Sequence, residues 1–259
     1  MAERTTTCIY FIGTAGAGKS TLAGAYKEWV FNRGLDCILV NLDPGAESLP
    51  YTPDVDVRDW VNLKDVMRSE GLGPNGAQIA ASDMLALNAK KIRDAIEGFK
   101  TDYVLVDTPG QIELFVFRPS GKYLTEFLYP ESSLVAFLLD PFLAKTPGGF
   151  VSNLLLASSV QFRLNLPTSY LLTKGDMLTD EELEKIRTWS QEPDALRDAF
   201  MSEEEGIYRE MSVDLLRVID GLGNLPSLQV TSAINLSGLE DLYAHVQQLV
   251  AGGEDAMSD

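Results

Sequence analysis

A glycine-rich segment that ends in lysine and serine carries the clearest chemical information in this sequence. It follows the pattern G-x-x-x-x-G-K-[ST], in which backbone N–H groups surround phosphate oxygens, the lysine reaches the β- and γ-phosphates, and the hydroxyl ligates Mg²⁺. The alternative is an ordinary glycine-rich turn with a solvated lysine. We predict a phosphate-binding loop that leads into a helix and consists of Gly13, Thr14, Ala15, Gly16, Ala17, Gly18, Lys19, Ser20 and Thr21.

Two acidic residues come directly after later apolar runs. Asp43 follows residues 36–42, and Asp107 follows residues 103–106. Because ligands collect at the carboxyl ends of strands in open α/β sheets, we expect Asp43 to face the phosphates or Mg²⁺. Asp107 is predicted to hold Mg²⁺ together with Ser20. Capping of the next turn is the alternative role for Asp43.

The segment that begins at Asp107 is predicted to respond to the γ-phosphate. Its D-x-x-G pattern puts the Gly110 N–H where it could sense this phosphate and reorganise when the phosphate leaves. Gln111 could orient an attacking water, as the corresponding glutamine does in GTPases, and Glu113 could support it. The alternative is that both are solvated polar residues. The predicted switch consists of Asp107, Thr108, Pro109 and Gly110.

A third motif indicates which base the nucleotide carries. Residues 173–176 fit the guanine-reading pattern [NT]-K-x-D, although many GTPases carry asparagine where this chain has Thr173. The Asp176 carboxylate would accept hydrogen bonds from guanine N1–H and the 2-amino group, a pair that adenine does not offer. Capping of the following helix is the alternative role for Asp176. The predicted guanine pocket consists of Thr173, Lys174, Asp176, Ser232 and Ala233.

These residues need a sheet whose strand ends meet, and the hydrophobic pattern predicts one. Apolar runs alternate with helical patterns, which predicts an α/β fold with a doubly wound, mainly parallel sheet and helices on both faces. Residues 49–59, 71–77 and 146–149 are predicted to be irregular, and a helix is predicted from Ser82 or Asp83 to about residue 99. The predicted strands are residues 7–12, 36–42, 103–106, 133–140, 168–172 and 228–231.

The chain is predicted to be one P-loop domain over residues 1–250, with a helical insertion over about 179–221. The insertion is charged, is interrupted near Pro193 and precedes the last predicted strand. We expect it to act as a lid or to face a partner, and simple solvated helix faces are the alternative. Residues 251–259 are predicted to be a flexible tail.

Bulk properties exclude several classes of function. A formal net charge of −17 disfavours direct binding to nucleic acid or to anionic membranes, which needs surplus cationic side chains. No apolar run is long enough to span a bilayer. Cys8 and Cys37 fall in predicted interior strands, which favours buried thiols in a reducing compartment, and His245 is expected to be solvated or to cap a helix. We therefore expect a cytoplasmic protein.

The motifs occur in an order that resembles a known family. The phosphate-binding loop, Asp43, the D-x-x-G segment, the guanine motif and Ser232-Ala233 follow one another, and Gly73-Pro74-Asn75 lies between the second and third. Together they resemble the GPN-loop GTPases, in the archaeal form without a long C-terminal extension. That family is grouped with the MinD-like and signal-recognition-particle branch of P-loop NTPases.

The resemblance implies a homodimer in which each subunit completes the other's site. Many members of that branch carry a second lysine early in the phosphate-binding loop, but this chain has Thr14 and Ala15 there. Instead, Asn75 would face the γ-phosphate of the partner subunit, where an amide can donate to developing negative charge. Gly73 and Pro74 complete this GPN loop, and Lys19 would stabilise the same charge.

The resemblance further implies hydrolysis of GTP to GDP and phosphate with Mg²⁺, with Asp43 and Gln111 positioning the water and Glu113 in support. The purpose would be that of a nucleotide-dependent switch or assembly factor for a protein client, RNA polymerase or another complex, since eukaryotic relatives are linked to polymerase assembly. The alternative enzyme is a P-loop kinase for a small molecule or nucleotide. The mixed charge of the insertion at 179–221 disfavours the cationic lid that a kinase needs.

Overall fold

Seven strands form one sheet in the computed structural model, which describes residues 6–129, 132–203 and 227–250. Every pairing in the sheet is parallel. The strands are β1 (Thr7–Gly13), β2 (Cys37–Asn41), β3 (Val55–Asp56), β4 (Tyr103–Asp107), β5 (Ser133–Leu139), β6 (Thr168–Leu172) and β7 (Leu228–Val230). Their order across the sheet is β3-β2-β4-β1-β5-β6-β7, so β1 lies at the centre. The predicted doubly wound α/β fold is confirmed.

Helices connect the strands and cover both faces of the sheet. A parallel sheet needs this cover, because its strands are apolar on both sides. The described helices are α1 (Lys19–Phe31), α2 (Leu63–Glu70), α3 (Pro74–Leu87), α4 (Ala89–Glu97), α5 (Ile112–Phe115), α6 (Pro119–Leu128), α7 (Pro147–Leu164), α8 (Asp180–Gln191), α9 (Pro193–Glu203) and α10 (Leu239–Val250).

Successive residues of β1 supply two separate cores. Ile9 and Phe11 pack with buried residues of α1 and α10 on one face. Tyr10 and Ile12 pack with helices α2 to α9 on the other face. This alternation follows from the two-residue period of a strand, and it fixes β1 firmly at the centre of the sheet.

The parallel register brings the carboxyl ends of the central strands together. Asp107 at the end of β4 lies opposite Phe11 of β1 and opposite Asn41 of β2. The loops that follow β1, β2 and β4 therefore leave the sheet side by side. These loops carry the phosphate-binding, Asp43 and switch segments.

The prediction missed one strand. Val55 and Asp56 form β3, which pairs with Val40 and Asn41 at the sheet edge inside the region predicted to be irregular. Two residues are too few to show a hydrophobic period, and the neighbouring Pro50 and Pro53 look like loop residues.

Two helix starts were also predicted wrongly. Helix α3 begins at Pro74, within the predicted loop 71–77, and ends at Leu87 with Asn88 as its C-cap, so the predicted helix from 82 to 99 is in fact parts of α3 and α4. Helix α7 begins at Pro147, within the predicted loop 146–149. Proline is favoured at the first helical position, where its missing N–H has no intrahelical partner to lose, and here that preference outweighs its use in turns.

The described part of the insertion packs into the main core and does not stand free as a lid. Helix α8 starts with a capping box between Thr179 and Glu182, so Asp176 does not cap it. Pro193 starts α9, at the predicted break. Apolar side chains of both helices are buried, including Trp189 and Phe200. Residues 204–226, and the predicted flexible tail at 251–259, lie outside the described residues.

The cysteines and the histidine show no catalytic arrangement. Cys8 and Cys37 are free thiols, and burial raises the pKa of Cys8 to about 12, which makes its thiol unreactive. His245 is half-buried on α10, and burial lowers its pKa. Across 6–129, 132–203 and 227–250, no helix is long and apolar enough to cross a membrane.

Candidate nucleotide-binding site

The turn between β1 and α1 has the geometry that close phosphate contact needs. Gly18 caps the N-terminus of α1 with φ 97°, a left-handed conformation that residues with a Cβ rarely adopt. At Gly13 a Cβ would lie 2.7 Å from the Leu138 carbonyl oxygen. Both glycines are therefore required by the backbone, and the turn leads directly into the N-terminus of a helix.

Lys19 is buried at the centre of the site, with 5% of its surface exposed. Its Nζ donates to the carbonyl oxygens of Gly13 at 3.0 Å, Thr14 at 2.9 Å and Gly110 at 3.2 Å. Burial lowers the Lys19 pKa, and the nearby charges of Asp107 and Asp43 oppose this effect. The ammonium thus joins the phosphate-binding loop to the predicted switch.

Asp107 is a buried carboxylate whose two oxygens differ in their hydrogen bonding. Its Oδ2 accepts a hydrogen bond from the Tyr51 hydroxyl at 2.7 Å. Its Oδ1 is buried and has no hydrogen-bond partner among the described residues. Burial raises the Asp107 pKa, while interactions with Ser20 and Tyr51 and the charge of Lys19 oppose the rise.

These residues fit a Mg²⁺ ion that is shared with a nucleotide. The unpaired Oδ1 of Asp107 is a hard oxygen ligand, and the Ser20 hydroxyl lies close to the same carboxylate. The described ranges contain no group of three or more His, Cys, Asp or Glu side chains that could hold a metal by themselves. Mg²⁺ commonly binds through one or two protein ligands plus substrate phosphates, and this site has that character.

The loop after β2 is fixed so that Asp43 reaches the switch. Asp43 Oδ1 accepts from the Gly45 N–H at 2.8 Å, and its Oδ2 accepts from the Gly110 N–H at 3.2 Å. The side-chain amide of buried Asn41 donates to the Asp43 carbonyl oxygen and accepts from the Asp43 N–H. It also donates to the Asp56 carboxylate. Asp43 therefore contacts the glycine that was predicted to sense the γ-phosphate.

The switch segment is anchored at one end. Thr108 Oγ1 donates to the Phe11 carbonyl oxygen at 2.7 Å in the core, and Pro109 is buried beside it. Gly110 is half-buried, and within the described ranges its hydrogen bonds are those with Lys19 and Asp43. The segment can therefore change at Gly110 without disturbing β4.

Two cavities adjoin this glycine. One, of about 340 Å³, is lined by the phosphate-binding loop, Asp43, Thr108 and Lys174, and Ser20 and Thr21 lie on its wall. The other, of about 170 Å³, is lined by Asp43, Gln111, Ala15 and residues of α3. Gln111 itself is exposed at the start of α5. Glu113 is exposed and makes no hydrogen bond or ion pair within the described residues.

The predicted guanine residues converge at the ends of β6 and β7. Thr173 Oγ1 donates to the Ala17 carbonyl oxygen at 2.7 Å, and Lys174 Nζ donates to that of Gly16 at 2.6 Å. The Ser232 hydroxyl hydrogen-bonds the Asp176 carboxylate. A largely apolar cavity of about 180 Å³ lies between them. Its wall consists of Gly18, Thr21, Leu22, Thr173, Lys174, Asp176, Met177, Ala233 and Ile234.

The structure does not bring Asn75 to the phosphate-binding loop of its own chain. Gly73, Pro74 and Asn75 are all exposed, at the N-terminus and first turn of α3. Helix α3 is joined to the segment after the switch, because the Arg118 guanidinium donates two hydrogen bonds, of 2.7 and 2.5 Å, to Asp83.

Sequence reasoning missed two residues of the site. Tyr51 contacts Asp107 from a stretch that was predicted to be irregular, and Phe142 lies beside Lys174, with the ammonium 5.8 Å from its ring centroid. An isolated aromatic residue in a loop has no motif. Only the position of Phe142 shortly after the apolar run 133–140 could have suggested that it lies near the ligand edge of the sheet.

Comparison with known proteins gives consistent matches along nearly the whole chain. A family model described as "Conserved hypothetical ATP binding protein" matches residues 11–252. GPN-loop GTPase PAB0955 from Pyrococcus abyssi is 38% identical over 191 residues, which cover 73% of this chain and 75% of that protein. Its crystal structure, a GTPase in apo form, has a TM-score of 0.85 and 32% identity, and the match covers 94% of this chain and 97% of that chain.

Longer relatives match as well. GPN-loop GTPase 1 from Dictyostelium discoideum is 29% identical over 244 residues, which cover 92% of this chain and 60% of the relative. The match to GPN-loop GTPase QQT2 from Arabidopsis thaliana, at 30% identity, covers 91% of this chain and 62% of the relative. The chain thus spans about three fifths of the length of these two proteins.

We expect Asp107→Asn to raise the free energy of unfolding at neutral pH in a chelating buffer. Burial raises the folded-state pKa of Asp107, so the ionised carboxylate disfavours the folded state wherever the unfolded chain is already ionised. As the pH falls toward the ordinary carboxyl pKa, both states become protonated and the difference from wild type should shrink. Urea unfolding over a pH series measures this.

Asp198→Asn, a matched change at an exposed position of α9, is the control and should show no such pH-dependent gain. Wild-type protein that is as stable as Asp107→Asn at neutral pH would contradict the prediction.

Proposed function

Because this chain belongs to the GPN-loop GTPase family, we propose that it hydrolyses GTP to GDP and phosphate as a Mg²⁺-dependent homodimer. We further propose that it acts as a nucleotide-dependent switch. The observation that carries the proposal is the pair of contacts at Gly110, whose N–H binds Asp43 and whose carbonyl binds Lys19. A bound phosphate would compete with the Gly110 carbonyl oxygen for the hydrogen bond from Lys19.

The role of Lys19 follows from the donors it has. An ammonium has three N–H donors, and three carbonyl oxygens surround this one. A phosphate oxygen is charged and forms the stronger hydrogen bond, so it would displace the weakest carbonyl contact. The contact to Gly110 is the longest of the three. Binding of the third phosphate would therefore release the Gly110 carbonyl oxygen from Lys19 and loosen the switch segment.

Ser20 and Asp107 are the residues that would hold Mg²⁺. Held by these two residues, the ion would supply positive charge that neutralises the negative charge developing on the phosphate groups. The hydroxyl of Tyr51 keeps one Asp107 oxygen occupied, which leaves the other oxygen for the ion.

Asp43 and Gln111 would position the attacking water, with Glu113 in support. Both Asp43 and Gln111 line the smaller cavity beside Gly110. A carboxylate that accepts and an amide that accepts and donates can together fix the orientation of a water molecule. The exposure of Gln111 and Glu113 means that closure of the site must bring them to the water.

A second copy of the chain would supply Asn75. In its own subunit Asn75 is exposed and lies outside both cavities next to the phosphate-binding loop. Early in that loop the chain carries Thr14 and Ala15 in place of a second lysine, so a further donor to the transferring phosphoryl group would come from outside. An amide supplies a donor without adding charge, and dimer closure excludes water.

GTP is proposed as the substrate in preference to ATP, although the matching family model is described by ATP. The Asp176 carboxylate, held by Ser232, is an acceptor at the wall of the apolar base cavity. Guanine can satisfy it with two donors, whereas adenine would leave it unpaired.

The client of the switch is proposed to be a protein complex, with RNA polymerase assembly as the role that the family resemblance suggests. The Asp83–Arg118 pair supports a switch, since it joins the segment after Gly110 to α3, the helix that carries Asn75. A change at Gly110 can therefore reach the proposed dimer surface through one connected set of residues.

Asp176→Asn should weaken GTP binding about 10- to 100-fold, because it removes a bidentate acceptor. It should also improve binding of XTP, whose C2 carbonyl can accept from the new amide. Competition with a fluorescent guanine nucleotide measures both affinities. Asp180→Asn, an exposed matched change at the start of α8, should alter neither. Equal ATP and GTP affinity in wild type would contradict guanine recognition.

Lys19→Ala should lower GTP turnover by about 100-fold or more, as removal of one preorganised donor does in other enzymes. Asn75→Ala should also be impaired, since its subunit has an intact phosphate-binding loop but no amide for its neighbour. Mixing the two variants should restore part of the activity, because a hybrid dimer contains one complete site. Phosphate release assays across mixing ratios measure this.

A mixture no more active than the sum of its components would rule out sites shared between subunits. Normal turnover by Lys19→Ala would overturn the proposed reaction itself. Phosphate transfer to an added acceptor, faster than release of free phosphate, would favour the kinase alternative.

Hydrogen exchange should differ between the GDP and GTP-analogue complexes both at residues 107–113 and in α3. In Arg118→Ala the first difference should persist and the second should be lost, because the link to Asp83 is removed. Arg93→Ala, whose ion pair with Glu97 lies within α4, is the matched control. Identical exchange in both nucleotide complexes of wild type would contradict the switch.

A further inference from the structure

The Tyr51 hydroxyl donates a hydrogen bond of 2.7 Å to Asp107 Oδ2. We propose that Tyr51 is a positioning residue for Mg²⁺: its hydroxyl fixes the Asp107 carboxylate so that the second oxygen is presented to the ion. This inference rests on the proposed function, since it assigns a role to Tyr51 only if Asp107 and Ser20 hold Mg²⁺.

The geometry of the carboxylate supports the assignment. A carboxylate that carries no directional bond can rotate about its last bond, and the hydrogen bond of 2.7 Å to Oδ2 removes that freedom. Oδ1 remains buried and has no hydrogen-bond partner among the residues that the structure describes. Hydrogen bonds from outer groups commonly orient metal ligands in this way, and their loss weakens metal affinity.

Tyr51 packs on α1, and the loop that carries it is bonded to β2 and α1 a few residues later. Its Cβ packs on α1 so closely that a Cβ at Gly24 would lie 3.3 Å from it. Farther along the same loop, Asp54 accepts from the Leu39 N–H at 2.7 Å and from Lys27 Nζ at 2.5 Å. A tyrosine that packs on α1, in a loop fixed to β2 through Asp54, can hold Asp107 in one orientation.

The loop that carries Tyr51 also contacts the other end of the switch. The same loop carries Asp43, which binds the Gly110 N–H. Tyr51 and Asp43 thus attach one loop to both ends of the switch, at Asp107 and at Gly110. Binding of a metal ion would therefore affect the position of this loop as well as that of the switch.

Tyr51→Phe removes the hydroxyl and keeps the ring against α1. We expect it to weaken Mn²⁺ binding to the GDP complex about 10-fold, measured by electron paramagnetic resonance titration of free Mn²⁺. The Mg²⁺ concentration that gives half-maximal GTP turnover should rise by a similar factor, while turnover at saturating Mg²⁺ should be largely retained. Asp107→Asn should weaken Mn²⁺ binding further, and adding Tyr51→Phe to it should have little additional effect.

Tyr26→Phe is the matched control. It also removes a buried tyrosine hydroxyl, but that hydroxyl has no hydrogen-bond partner among the described residues, so Mn²⁺ affinity should be unchanged. Thermal unfolding of both variants shows whether either one is damaged generally.

Mn²⁺ affinity in Tyr51→Phe equal to that of wild type overturns the inference and leaves the proposed function intact. Full additivity of Tyr51→Phe and Asp107→Asn also overturns it, because the hydroxyl would then act elsewhere. Wild-type protein that binds no Mn²⁺ with GDP and hydrolyses no GTP overturns the proposed function, and the inference with it.

Discussion

The burial of one ammonium group organises this molecule. Lys19 has little contact with water, so its charge must be matched by the oxygen atoms around it. Those oxygens come from the turn before α1 and from Gly110, on a segment distant in sequence. The sheet can supply them only if β1 lies next to β4, which its parallel pairing ensures. The demands of a single buried cation thus fix which loops must be neighbours.

The switch segment has one end that is fixed in the core and one end that is held by polar contacts. Thr108 is tied into the core, whereas Gly110 is held by two polar contacts with charged side chains. Contacts to charged groups respond strongly to a new charge nearby. The site therefore combines a fixed cradle with one segment that is held by two charged side chains.

Much of this arrangement could be predicted from the sequence, because the motifs have a fixed spacing and the central strands are apolar runs that are buried on both faces. The two-residue strand at Val55 escaped prediction, since its pairing comes from tertiary contacts. Residues 71–77 and 146–149 were predicted to be irregular, although Pro74 and Pro147 each start a helix. Tyr51 lies in no motif, and only folding of its loop onto α1 brings its hydroxyl to Asp107. The structure places the predicted residues, and the roles of all of them, including Asn75, Gln111 and Glu113, stay predictions.

The start of α3 at Pro74 has a consequence for association. A flexible loop that orders itself on a partner loses conformational entropy at that moment, which weakens binding. Here the backbone of Asn75 is already fixed in the first turn of α3. The ring of Pro74, directly before it, restricts the φ angle at the helix start. Most of that loss of conformational entropy therefore occurs when the chain folds and not when it associates. In the proposed dimer, such a surface could associate and dissociate repeatedly without refolding, as the proposed nucleotide cycle requires.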